Sequence, residues 1–176
     1  MIYYLLIIIG FLTRFIPHPM NFTAVGATAL FSGYYFKDKR VAFAVPLAVM
    51  LLSDSFLGFY DWKLLLSVYA SFALVVLLGI MIRNKKWLWA LPTSLLGTAL
   101  FFLITNGAVW VFANWYPHTL NGLLLCYAEG LPFVRNNFLG DLTYTFLFFG
   151  TAELAMYLAR KKDIKNKNLV FAHGKI

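Results

Sequence analysis

The run LLLSVYASFALVVLLGIMI at residues 64–82, closed by Arg83-Asn84-Lys85-Lys86, decides the fold class. Its nineteen residues carry no charge. As a helix they rise about 28 Å, close to the roughly 30 Å hydrocarbon core of a bilayer. The basic cluster that follows is the mark of a helix leaving lipid for water. Working outward, five further apolar runs stand at residues 2–16, 22–36, 41–59, 88–112 and 138–159, of which the first two are the shortest. Prolines or charges part them: Pro17 and Pro19, the cluster 37–40, the stretch 60–63, and a long segment 113–137. Pro46 and Pro92 fall in the first turn or two of their runs, where proline costs least.

The composition agrees. Of 176 residues, 61% are hydrophobic and only 12% charged, half the roughly 25% charged residues of an ordinary soluble domain; mean hydropathy is +0.75. A soluble fold of this size cannot hide so much apolar surface. The expectation is an all-α integral membrane protein, a compact bundle of about six transmembrane helices in one domain, 1–159. A basic cytoplasmic tail, 160–176, follows it.

Orientation follows from the basic residues. With the N-terminus inside, the inner segments 37–40, 83–86 and 160–176 hold twelve Lys and Arg, and the outer ones only Arg14, Lys63 and Arg135. That bias predicts both termini in the cytoplasm and a multi-pass protein of the plasma (inner) membrane. The N-terminal run has no basic residue before it and no small-residue cleavage pattern after it, so it reads as a retained span and not a signal peptide.

The net charge of +8 does not point to nucleic acid, because the charges punctuate apolar runs and do not line one face. A lone Cys126 excludes an intrachain disulfide and a cysteine-based zinc site. His18, His118 and His173 are too scattered for a metal centre. No cofactor is expected, and no nucleophile elbow, His-Glu-Xaa-Xaa-His or phosphate loop is present, so the chain does not read as an enzyme.

Ionisable groups within a membrane mark function by default. Asp54, Asn106 and Asp141 come from three separate runs, yet each falls in the outer third: about 7, 9 and 5 Å from the outer end of its run at 1.5 Å per residue. Arg14 reaches the same level from the first run. The segment 113–137, NWYPHTLNGLLLCYAEGLPFVRNN after Ala113, is long but not polar. It reads as an outer loop able to fold over the bundle, with Trp110, Trp115 and Tyr127 as stacking walls. Together these residues predict an outward-facing chamber for a small solute, its contacts Arg14, His18, Asn21, Asp54, Asn106, Asn137 and Asp141. The plainer reading is that such groups cap helix ends or pair among themselves, Asp54 with Arg14 above all. The carboxylates suggest a polar or cationic group on the solute. Glu153 reads as a carboxyl hydrogen-bonded within the bundle, or as a proton relay. Ala29 and Gly33 form a small-xxx-small pair that lets helices approach closely, either within the bundle or as a surface for docking a partner.

Several strings carry a resemblance: Arg14-Phe-Ile-Pro-His-Pro with Asn21-Phe-Thr, Leu30-Phe-Ser-Gly33, Ser53-Asp54, Thr105-Asn106, Trp115-Tyr-Pro-His-Thr, Gly122-Leu with Cys126-Tyr, Leu131-Pro-Phe, Asn136-Asn137 and Gly140-Asp141-Leu. From about Arg14 to Gly150 the chain resembles an uncharacterised bacterial family of membrane proteins grouped with transporters. That family is similar to the substrate-capture (S) components of energy-coupling-factor vitamin transporters. The resemblance implies a solute binder without an ATPase of its own, working with a transmembrane coupling protein and cytoplasmic ATPases. S components tend to dock through an Ala-xxx-Ala pattern on the first span, which YYLLIIIGFL lacks; Ala29 and Gly33 are the nearest equivalent. Two other classes stay open: a membrane enzyme acting on a lipid or isoprenoid through Asp54 and Asp141, and a structural membrane subunit.

Overall fold

The computed structural model describes residues 2–17 and 19–173. They form six α-helices and no strand: α1 Ile2–Leu12, α2 Val25–Tyr35, α3 Lys39–Leu57, α4 Trp62–Met81, α5 Ala90–Phe112 and α6 Leu120–His173, with a short 3-10 turn, Trp87–Trp89, leading into α5. Four stretches are long and apolar enough to cross a membrane: Lys39–Leu57, Trp62–Met81, Trp87–Phe112 and Leu120–Lys162. Leu66, Leu77 and Met81 of α4 and Phe146 and Leu154 of α6 stay exposed, an apolar exterior of the kind that lipid covers.

Local chemistry sets the boundaries. Asp38 caps α3 by accepting from the Arg40 amide at 2.8 Å, and Asp61 caps α4 by accepting from Lys63 and Leu64. Gly58, at φ 99°, ends α3 in a conformation that a Cβ disfavours. The turn 58–61 is therefore tight, and α3 and α4 are antiparallel neighbours.

The expected spans 2–16 and 22–36 are shorter in the structure. α1 and α2 have 11 residues each, about 16 Å of helix, half a bilayer. Thr13 ties the two ends of the connector together: its hydroxyl donates to Gly10 O at 2.9 Å and accepts from the Ala24 amide at 3.1 Å, which folds the connector 13–24 back on itself.

A second difference lies in 113–137. Only 113–119 connects; helix begins at Leu120 and runs without interruption through 138–159 and on to His173. Pro132 sits inside α6 and removes one backbone donor, but side chains just ahead of it hold the helix to α5. The Tyr127 hydroxyl donates to Leu103 O at 2.7 Å, and the Cys126 thiol lies 3.4 Å from Asn106 O. Glu129, Pro132 and Arg135 break the hydropathy without breaking the helix.

α2 is the centre of the bundle and touches every other helix. Ala27, Thr28, Ala29, Leu30 and Ser32 are fully buried. Its backbone meets that of α4: a Cβ on Gly33 would lie 2.2 Å from Val76 O, and one on Gly79 2.3 Å from Leu30 O. Ala29 and Gly33 thus lie within the bundle, Gly33 against α4, and form no partner-docking surface. At the same end Arg83 donates to Gly33 O at 2.7 Å and to Phe36 O at 2.6 Å, closing the carbonyl end of α2 with a cation. Pro46, inside α3, cannot donate to Ala42 O; the buried Ser32 hydroxyl of α2 stands 2.8 Å from that carbonyl and shares its proton between it and Ala29 O at 2.9 Å. Phe31 packs edge-on to Phe149 of α6 at 5.2 Å.

Candidate functional site

Because α2 is short, the bundle has no central helix above Val25. The connector 13–24 enters that space from one side, and a two-lobed chamber fills the rest. The first lobe, about 290 Å³, is floored by Val25 and walled by Arg14, Thr23, Met50, Tyr60, Val68 and Phe72. The second, about 210 Å³, is walled by Phe102, Thr105, Asn106, Gly130 and Phe133. Asn21, Phe101 and Asn137 line both lobes and so mark where they adjoin.

Arg14 comes in from the connector. Its Nη1 donates to Asp54 Oδ1 at 2.6 Å and to Ser53 Oγ, and lies 3.5 Å from Met50 Sδ. Tyr69 of α4 donates to the other oxygen of Asp54 at 2.8 Å. Asp54 is 1% exposed, so both oxygens of a buried carboxylate are engaged and its charge is matched. Nε and Nη2 of Arg14 make no hydrogen bond among the described residues. Tyr60, at the chamber wall, keeps its phenol protonated: burial raises its pKa, Asp54 adds to the shift, and Arg14 partly offsets it. Asn21 holds φ 65°, a left-handed conformation that asparagine tolerates better than most residues. Asn106 donates to Phe102 O at 2.9 Å, and a Cβ on Gly130 would lie 2.5 Å from its Oδ1; α6 can come this close only with glycine there.

Of the residues expected at the site, Arg14, Asn21, Asn106 and Asn137 line the chamber, and Asp54 holds Arg14 in place. His18 lies outside the described residues. The three expected stacking walls are elsewhere. Trp110 donates to Pro117 O at 3.0 Å, Tyr127 ties α6 to α5, and Trp115 is 73% exposed. Phenylalanines 72, 101, 102 and 133 take their place; as apolar residues at helical spacing they carried no signal that separates a chamber wall from a lipid-facing side. Ser53 and Tyr69 were missed as well, although a tyrosine within an apolar run is a polar handle in search of a partner.

Asp141 does not share the depth of Asp54 and Asn106. Its Oδ2 lies 2.6 Å from Thr98 Oγ1, and Thr98 lies about 21 Å of helix below Phe112. The outer-third placement rested on a helix starting at residue 138, and it starts at 120. Glu153 accepts from Tyr35 at 3.1 Å, within the bundle. Tyr116, in the connector, donates to Glu129 at 2.6 Å, and that bond is the main reason its phenol is pushed up to about 12. Among the described residues no three His, Cys, Asp or Glu side chains converge as a metal site.

Fold and site define an all-helical protein of membrane type, with an amide- and arginine-lined chamber above a short central helix. The chain belongs to the family of unknown function DUF6580, whose model matches residues 1–164. No curated protein and no solved structure matches it.

Proposed function

We propose that this chain is a membrane-embedded binding component that captures a small, vitamin-like solute for uptake, driven by a separate transmembrane coupling protein and ATPases. The observation that carries the reading is the two-lobed chamber joined at Asn21, Phe101 and Asn137. Pockets of a few hundred Å³, apolar-walled with a few convergent polar groups, suit small solutes. Asp54 is neutralised by Arg14, so the polar groups left to a ligand are amides, hydroxyls and the unengaged edge of a guanidinium. These favour hydrogen-bond acceptors on the solute over the cationic group that the carboxylates first suggested. The absence of a nucleotide-binding motif in the sequence leaves the energy source to partners.

In this reading the protein sits in the plasma (inner) membrane with both termini inside. α1 and α2 complete a six-helix bundle as a half-length hairpin. Counted as two crossings or as none, that hairpin leaves the orientation of α3–α6 unchanged, with 37–40 and 83–86 inside. The enzyme reading would bring Asp54 and Asp141 together, and among the described residues the two carboxylates share no partner; the structural-subunit reading gives the chamber no role.

Native mass spectrometry of the full chain extracted in mild detergent tests the proposal. A bound small molecule is expected in the wild type and absent from Asn137→Leu, which fills the junction of the lobes. An adduct that survives that change equally well would rule the chamber out as its site.

A further inference from the structure

Asp141 is an ionisable group that the chamber does not use. It is 6% exposed and packs against α5 and α2. Its Oδ2 lies 2.6 Å from Thr98 Oγ1, and the Gly26 backbone presses on the other side, where a Cβ would lie 2.2 Å from Oδ1. Among the described residues the surrounding elements offer no countercharge. α5 has no ionisable side chain over its whole length, and α2 has none before Tyr34 and Tyr35 at its far end. On α6 the nearest are Tyr144, whose ring packs on Phe22 and Phe148, Arg135, exposed nearly two turns away, and Glu153, three turns on and bonded to Tyr35. Arg14 is engaged by Asp54.

A bare carboxylate here would lose its hydration and gain one hydroxyl bond and the weak positive end of α2. That exchange strongly favours the neutral acid. The hydrogen-bond directions agree. Thr98 has a single hydroxyl proton and two acceptors in reach, Asp141 Oδ2 at 2.6 Å and Ser94 O at 3.1 Å. A proton on Asp141 lets both contacts be full bonds, Asp141 donating to Thr98 and Thr98 to Ser94, whereas an ionised carboxylate would have to share the one hydroxyl proton with Ser94 O. A metal cation fits less well. Gly26 closes one side of the carboxyl, and the first turn of α2 turns its positive end toward it.

The position gives the group a consequence. Asn137, one turn earlier on the same face of α6, lines both lobes, and Val25, beside Gly26, is the chamber floor. One turn further on, the fully buried Thr145 hydroxyl has no hydrogen-bond partner among the described residues. We propose that Asp141 is a proton-binding site beneath the chamber: it takes a proton from chamber water, holds α2, α5 and α6 together as a neutral acid, and returns the proton to that water when the floor opens.

The site is read by infrared difference spectroscopy on the full chain in lipid nanodiscs, in sodium-free buffer at neutral pH, so the test needs no ligand. Wild type minus Asp141→Asn should show the carbonyl stretch of a protonated carboxyl, and wild type minus Asp54→Asn should not. Thr98→Val, which removes the hydroxyl that accepts from the acid, should shift that band to higher frequency in an otherwise native chain. Should Asp141→Asn not fold, this shift carries the test alone. As pH rises, amides 24–28 should lose hydrogen-exchange protection in the wild type relative to Asp141→Asn compared at the same pH. An ionised-carboxylate band from Asp141 at neutral pH would overturn the proposal. A carbonyl band abolished by sodium chloride would overturn it too, in favour of a metal-cation site.

Discussion

The α2–α4 crossing makes the sharpest demand on the sequence, and Gly33→Ala tests it. A Cβ at Gly33 would meet Val76 O at 2.2 Å and Gly79 Cα at 3.1 Å. Carbon–oxygen contacts settle at about 3.3 Å or more, so the helices must part by about 1 Å. The obstacle is backbone, with no rotamer to turn aside. A gap of that size forfeits a quarter to a half of each dispersion contact along the crossing. Overpacking of this kind costs about 1–3 kcal/mol, and the better helix propensity of alanine returns roughly 0.5–1 kcal/mol. Because backbone strikes backbone, the upper part of the range applies and the net loss is about 2 kcal/mol. For a chain of this length that lowers the melting temperature by roughly 4–8 °C. The assay is a thermal melt in detergent followed by fluorescence-detected gel filtration. Gly150→Ala is the matched control, since a Cβ there meets nothing within 4 Å; it should melt at or slightly above the wild type. If Gly33→Ala melts with the control, the backbone contact at this crossing is not as described.

Ser32→Ala should cost about 1–3 kcal/mol by leaving the Ala42 carbonyl unserved, and much less on a Pro46→Ala background, where a restored amide can reach it. Equal losses on both backgrounds would reject that pairing. With Cys126 replaced, single cysteines at Lys39 and Lys85 should resist an impermeant thiol reagent in intact cells while one at Thr119 reacts. Labelling of the Lys85 site from outside would reverse the orientation.

The apolar runs were legible because lipid demands length and hydrophobicity from any helix that meets it, and 41–59, 64–82 and 88–112 correspond to α3, α4 and α5 within a few residues. What failed to show was protein packed on protein. α2 is enclosed by its neighbours, so nothing forces it to bilayer length, and its start depends on a Thr13–Ala24 bond eleven residues apart. The first third of α6 reads as loop because Glu129, Pro132 and Arg135 interrupt the hydropathy, while the contacts of Cys126, Tyr127 and Gly130 with α5 that keep it helical are tertiary. The misplaced depth of Asp141 descends from that one boundary. At the site, polar residues announced themselves and aromatic ones did not: Arg14, Asn21, Asn106 and Asn137 stand out against an apolar background, whereas Phe101 looks the same facing a chamber or a lipid tail.

The enclosure of α2 also bears on how the chain is made. Residues 25–35 emerge from the ribosome early, yet the surfaces that seat them, Val76 and Gly79 of α4 and Phe149 of α6, are synthesised some 40 to more than 110 positions later. Eleven residues cannot cross the bilayer alone, so the hairpin has no stable resting place in lipid until those helices arrive. Contacts so distant in sequence form late. Residues 25–35 thus reach their final position only after α4 and α6 have been made, and a nascent chain stalled before α6 should leave the α1–α2 hairpin open to protease.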